Sequence, residues 1–380
     1  MRPQLQAINA RVLTVILLVA LPVLVIGAAI VISIGQTRLH QTQSAQLAQI
    51  AEYTAGAVDA YVFRRILDAS LLARVPDIRR TAAAGTAAPF DAARAKETDA
   101  KWQADRMGDS TGSPVLANPA SEFLADLVKQ DSVYREILVT DKHGRLVAAS
   151  NVTSDYFQAD EDWWIRAFDR GRGRVSVTDV RRDESAQVYA FEIAVPVHAP
   201  GGDEIAGIMK VVADSRELLA GIAGLDLGAG SEAMLVRPDG SIVFSRRAHR
   251  EGDKFFAAEL LRQRLDEREA RREAPGPLTL EAQGDEGGRR IVAIAPSQLN
   301  RSFPELPWMI ALSSERDELL APFRSLVWYL IVVFAATALA VVAIALWFSL
   351  RLAAPIGEPE YDLHLVDHPE LPRMEDGSRT

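Results

Sequence analysis

Three acids in a row, Asp160-Glu161-Asp162, run directly into Trp163-Trp164. Adjacent carboxylates could draw a divalent cation, but ahead of a helix they serve equally as solvated charges that favour its N-terminus. Asp214 stands three residues before Glu217 at the start of a helix, which is the spacing of a capping box. His364 and His368 flank Asp367 at a spacing that would put both imidazoles on one helix face, yet Pro359, Pro369 and Pro372 make that stretch a flexible acidic tail. Gly-x-Ser-x-Gly, Walker and His-Glu-x-x-His motifs are all missing. With no cysteine, thiol nucleophiles, Cys zinc sites and disulfides are excluded too. The expectation is a protein that is not an enzyme and needs no cofactor or metal.

The elements that must position these residues begin with two uncharged apolar runs, Val12 to Ile34 and Leu326 to Leu350. Each exceeds the roughly 20 residues that a helix needs to cross a bilayer. The first is too long for a signal-peptide core and is read as a retained anchor. Trp328, Tyr329 and Trp347 sit at the ends of the second, where aromatic rings favour the interface. Arg2 and Arg11 against Arg38, and Arg351 against Arg324, place both termini in the cytoplasm. The central body then faces the periplasm or exterior. A net charge of −9 without a Lys/Arg stripe argues against nucleic acid.

After the first run a helical period continues through Leu47, Ile50, Thr54, Ala57, Tyr61 and Arg65 or Ile66 to Pro76. Ala82 to Asn118 reads as loop around a charged helix near Asp91 to Arg106. Strands follow at 136–140, 146–149, 188–197, 205–212, 233–236, 242–245, 278–281, 290–295 and 308–312, with helices at 119–129, 163–170, 215–222 and 255–272. Two hairpins share one formula: an apolar strand, then Asp141-Lys142-His143-Gly144 or Pro238-Asp239-Gly240, then a second strand. They lie about 96 positions apart and hint at a duplicated unit. The order of helices and hairpins predicts an α+β fold of antiparallel modules.

Tyr134 to Asp141 with Gly144, then Tyr156 with Trp163-Trp164, and Ile193 to Val197 with Gly207 to Asp214 resemble the double Cache family. These are extracytoplasmic sensors of bacterial chemoreceptors, histidine kinases and cyclic-dinucleotide enzymes, and the resemblance covers about residues 36 to 325. It implies a long stalk helix carrying two PAS-like antiparallel-sheet Cache modules. The expected domains are a cytoplasmic N-terminus (1–11), a transmembrane helix (12–34), the stalk and membrane-distal module (35–225), and a membrane-proximal module (226–325). A second transmembrane helix (326–350) and a cytoplasmic tail (351–380) follow. Arg351 to Ile356 looks like the start of a HAMP linker, so the chain reads as the input half of a receptor that reports to a separate signalling protein.

The family's amino-acid sensors carry Tyr, then Arg, then Trp-Tyr, with a later Tyr-x-Asp and a strand-end Asp. Tyr156, Trp163, Asp179 and Asp214 fall on that pattern, while Glu161, Trp164 and Val177 depart from it. Glu161 in the Arg position would repel a carboxylate instead of clamping it. Asp179 and Asp214 suit an ammonium, and Trp163 and Trp164 could add cation–π contact. The ligand-binding set implied is therefore Tyr156, Glu161, Trp163, Trp164, Asp179 and Asp214, and the ligand an amine or other cationic metabolite. A homodimer is expected. The competing reading is a membrane-anchored scaffold whose modules bind a protein and no small molecule.

Overall fold

The computed structural model describes residues 2–105, 113–183, 188–228, 230–247, 249–250, 252–285, 287–316 and 321–352. The HAMP-like residues beyond Leu352, and the tail with His364 and His368, lie outside them. The fold is α+β, with two antiparallel sheets and a long apolar helix towards each end. The first helix, α1 (Arg2–Leu72), contains Pro22; the last, α8, is Ala321–Leu352. Both contain stretches long and apolar enough to cross a membrane, within Pro22–Leu72 and Val327–Ile344. Thr37–Phe323 forms one compact unit, and the two end segments form another.

Within the Thr37–Phe323 unit, α2 (Pro76–Ala87), α3 (Ala92–Asp105) and α4 (Pro119–Gln130) lead into the first sheet. Its strands are β1 (Tyr134–Asp141), β2 (Leu146–Ala149), β3 (Ser176–Val177), β4 (Arg181–Asp183), β5 (Val188–His198) and β6 (Ile205–Asp214), with α5 (Asp162–Phe168) between β2 and β3. Helix α6 (Arg216–Ala223) leads to the second sheet, made of β7 (Glu232–Val236), β8 (Ile242–Ser245), β9 (Leu278–Gln283), β10 (Arg289–Pro296) and β11 (Met309–Glu315), with α7 (Ala258–Arg271) after β8. The first sheet runs β2-β1-β6-β5-β3, with β4 also on β5, and the second runs β8-β7-β11-β10-β9. Counted within each module, the strand order is the same once the short β3 and β4, both paired with β5, are taken together as one edge. The shared hairpin formula is thus one visible part of a repeated unit.

The repeat reaches into the turns. Gly144 and Gly240 have φ of +83° and +82°, a region that glycine enters without steric cost. A Cβ on either would meet the Cβ of Ala159 at 2.4 Å or of Ala258 at 2.2 Å. Each hairpin also carries a register shift one strand pair from its turn, at Val139/Thr140 and Leu235/Val236.

Helix α1 packs along the inner faces of both sheets in a shared core. Its buried stripe is Leu47, Ala51, Ala55, Val58, Val62, Ile66 and Ala69. Leu47, Thr54 and Ile66 of the expected stripe are buried, whereas Ile50 and Ala57 are exposed and Ala51 and Val58, one residue further on, face the core in their place. Buried Asp59 on α1 accepts from Ser297 Oγ at 2.5 Å and from the Gln298 backbone N–H at 2.8 Å, fixing α1 against the second module. The Ala82 to Asn118 stretch expected as loop begins with the end of α2. Pro76 opens that helix at its first turn, and Ile78 and Ala82, four apart, bury its one apolar edge.

Candidate functional site

Alternation along the first sheet decides where a cleft can form, since side chains two apart share a face. On β6, Met209, Val211 and Ala213 face the shared core, leaving Ile208, Lys210 and Val212 on the outer face. On β5, Ile193 and Val195 point inward, leaving Glu192 and Ala194 outward. The outer face is therefore apolar at one end, with Leu138, Ala194 and Ile208, and charged at the other. Trp102, Trp163, Trp164 and Ala167 cover the apolar end in a separate cluster. The charged end stays open as a cleft of about 760 Å³.

Among the described residues, seven carboxylate side chains and three cationic ones line this cleft. Lys210 rises from its floor, and its ammonium lies 5.0 Å from the centre of the Trp163 ring, 3.5 Å from Glu192 and 3.8 Å from Glu136. An intramolecular cation thus already uses the indole face. Arg166, one turn beyond Trp163 on α5, also lines the cleft, and its buried Nε has no hydrogen-bond partner among the described residues. Glu161 faces solvent at the rim. Desolvation first, and then the neighbouring Asp155 and Asp160, push its carboxyl above the ordinary glutamate value, with Lys210 opposing. The cleft therefore holds more negative charge than its own cations neutralise.

Of the residues expected to bind ligand, Glu161, Trp163 and Asp179 line the cleft. Trp164 faces the other way, donating from Nε1 to Thr140 Oγ1 at 2.9 Å and stacking on Phe168 at 4.5 Å. Tyr156 packs in the same apolar cluster, 6.2 Å from Trp102, and burial raises its phenol pKa. Asp214 ends β6 away from the cleft. Arg135 and Arg216 both donate to its Oδ2, and the Arg216 backbone N–H donates to Oδ1 at 2.8 Å. Burial raises its pKa, but the Arg216 N–H and the two guanidiniums together hold it below the usual aspartate value. The backbone bond from Arg216 is an Asx-type turn, and because the Asp214 N–H donates to the Val133 carbonyl at 2.8 Å, the reciprocal Glu217 bond of the expected capping box is not made.

Asp179 is held from the second module. Its Oδ2 accepts from Arg237 Nε at 2.8 Å and Nη2 at 2.5 Å, and its Oδ1 accepts from Trp308 Nε1 at 2.7 Å. Glu305, also of the second module, lines the same cleft and accepts from Arg174 of the first at 3.1 Å. Lys210, Arg166, Glu192 and Glu305 went unnoticed in the sequence. Lys210 alone left a signal, a lone charge on the apolar strand Ile208-Met209-Lys210-Val211-Val212. Among the described residues, no group of His, Asp and Glu side chains forms a metal-binding cluster.

Two sheets of one strand order on a shared long helix, the first with an open cleft, match in structure the double-Cache-type ligand-binding domains of bacterial chemoreceptors. One such structure is the ligand-binding domain of the Pseudomonas aeruginosa amino acid chemoreceptor PctB in complex with L-Arg, with 19% identity over 72% of this chain and 95% of that one, at a TM-score of 0.44. Another is the Pseudomonas fluorescens chemoreceptor CtaA in complex with L-isoleucine, with 16% identity over 76% and 98%, at 0.46. The sensory domain of the Campylobacter jejuni chemoreceptor Tlp3 shares 12% identity over 75% and 98%, at 0.47. At such identities the likeness concerns fold alone. No family model matches the sequence, and no curated protein matches it.

Proposed function

We propose that this chain is a membrane-anchored extracytoplasmic sensor whose first module binds a small cationic ligand, an amine above all. The observation that carries the reading is the cleft, open to solvent at about 760 Å³, with seven carboxylates against three cations. Desolvation raises Glu161 first and repulsion from Asp155 and Asp160 adds to it; an ammonium entering there would relieve the second of these. Glu161, Asp179 and Glu192 would be its counter-charges, and the indole of Trp163 part of the wall. An acceptor oxygen on the same ligand would meet Arg166.

The apolar runs at 12–34 and 326–350 would anchor the body on both sides, with 35–225 the membrane-distal and 226–325 the membrane-proximal module, and both termini cytoplasmic. A second copy would pack on the exposed face of α1, where Ile50, Tyr53, Leu67 and Leu71 stand free. Gly56, Ala57 and Ala60 between them leave room for close approach of another helix. Ligand-dependent movement would then pass across the membrane to a cytoplasmic signalling protein, driven by the difference in affinity between two states.

The test is calorimetry on the full chain in nanodiscs with putrescine, agmatine and choline, against succinate and acetate. Saturable binding of amines and none of the acids is the expected result. A preference for carboxylates that persists in Asp179→Ala and Asp214→Ala overturns the amine reading. Recovery of a stable protein partner, with no small molecule bound, overturns the sensor in favour of a scaffold.

A further inference from the structure

The cleft is not the property of the first module alone. Asp179, from the first module, is gripped by Arg237 and Trp308 of the second. Glu305, from the second, is gripped by Arg174 of the first. The exchange is reciprocal, and both carboxylates line the cleft. Arg237 directly follows β7 and Trp308 directly precedes β11, two strands paired side by side in the second sheet. Arg237 is further tied to Ser241 by Nη1 at 3.2 Å. The two guanidiniums that join the modules are thus spent on the carboxylates that a ligand cation would approach.

We propose that Glu305 is a specificity-determining residue of the cleft, and that a bound cation competes with Arg174 for Glu305 and with Arg237 for Asp179. Binding is then read out as loosening of the contact between modules. The inference rests on the reading of the cleft as a cation site. Linkage fixes the sign of the arginine tests: taking the arginine out of an inter-module pair frees its carboxylate and must strengthen cation binding, and by the same factor cation binding must weaken that pair. A residue that merely holds the cleft in shape would behave in the opposite way, because its loss would weaken binding.

The experiment uses the full chain in nanodiscs, with putrescine, agmatine and choline as probes. Glu305→Gln is expected to lower amine affinity about 5-fold or more, whereas Arg174→Gln and Arg237→Gln are expected to raise it by a similar factor. Arg174 is half exposed, so its variant should fold even if loss of Arg237 proves disruptive. The chain has no cysteine of its own, so spin labels at K142C on the first module and Q263C on the second report their separation. That distance is expected to shift by about 2 Å or more with saturating amine. Amine binding that Glu305→Gln leaves unchanged and Arg174→Gln fails to tighten, at a constant label distance, overturns the inference and leaves the cation site standing. Failure of all three amines to bind the parent chain overturns the site and the inference together.

Discussion

The two sheets share a strand order and differ on their outer faces. Met209 pairs with Val139 and Val195 in the first sheet, as Ile310 pairs with Leu235 and Ala295 in the second. Counting from those anchors, Glu192 and Lys210 of the first sheet correspond to Val292 and Ala311 of the second. The second face is closed by α7 and Phe255, with Met234, Leu261, Val292, Ile294 and Ala311 in one cluster. Among the described residues the first face has no apolar partner for its charged half, so α5 covers the apolar half and the rest stays an open cleft. One scaffold therefore yields a sealed layer or an open cleft, according to a few outward residues on its central strands.

The sharpest way to break that comparison is to charge the sealed face. Val292→Glu buries a carboxylate without a cation and should cost about 3–5 kcal/mol, the range for an uncompensated buried charge; chemical denaturation measures it. The reverse exchange, Glu192→Val, should change stability by less than about 1 kcal/mol, since its pair with Lys210 is partly exposed. Next in size are Gly144→Ala and Gly240→Ala. Each forces a side chain into positive φ and against an alanine, so each should lose more than about 1 kcal/mol, and similar losses would confirm that the repeat extends to its turns.

The binding predictions are smaller. Glu161→Gln should weaken amine affinity by about 2- to 10-fold, or up to ~1.4 kcal/mol, with little effect on melting temperature. The pH dependence is the smallest effect and separates two carboxyls. Glu161 is raised in the folded chain, so amine affinity should fall as pH drops through its raised value. Its own contribution to folding stability is present at low pH and lost as pH rises through that value. Asp214 is lowered, so its contribution is present above the unfolded aspartate value and disappears as pH falls through the lowered one. Comparing Asp214→Asn with the parent in acid denaturation isolates it.

The long strands were legible because alternation persisted over many residues, as in β5 and β6, and the duplicated hairpins because both needed a glycine at the same place. Strands β3 and β4 were not, since Ser176–Val177 and Arg181–Asp183 are too short to carry a period. Alanine-rich α2 hid behind composition, although Pro76 and Ile78 marked its start. The part of the site on one continuous segment, Glu161 and Trp163, could be read directly. Glu305 could not, because it reaches the cleft from another module. Nor did anything local reveal that Arg135 holds Asp214 from 79 positions away.

Asp59 gives the long helix a detent. Its carboxylate takes two neutral donors from one turn of the second module, and neither can follow if α1 slides or rolls by a residue. A slip of one residue swings a helical side chain through about 100°, so no intermediate setting keeps both bonds. Movement of α1 past the second module would therefore have to unseat both bonds at once.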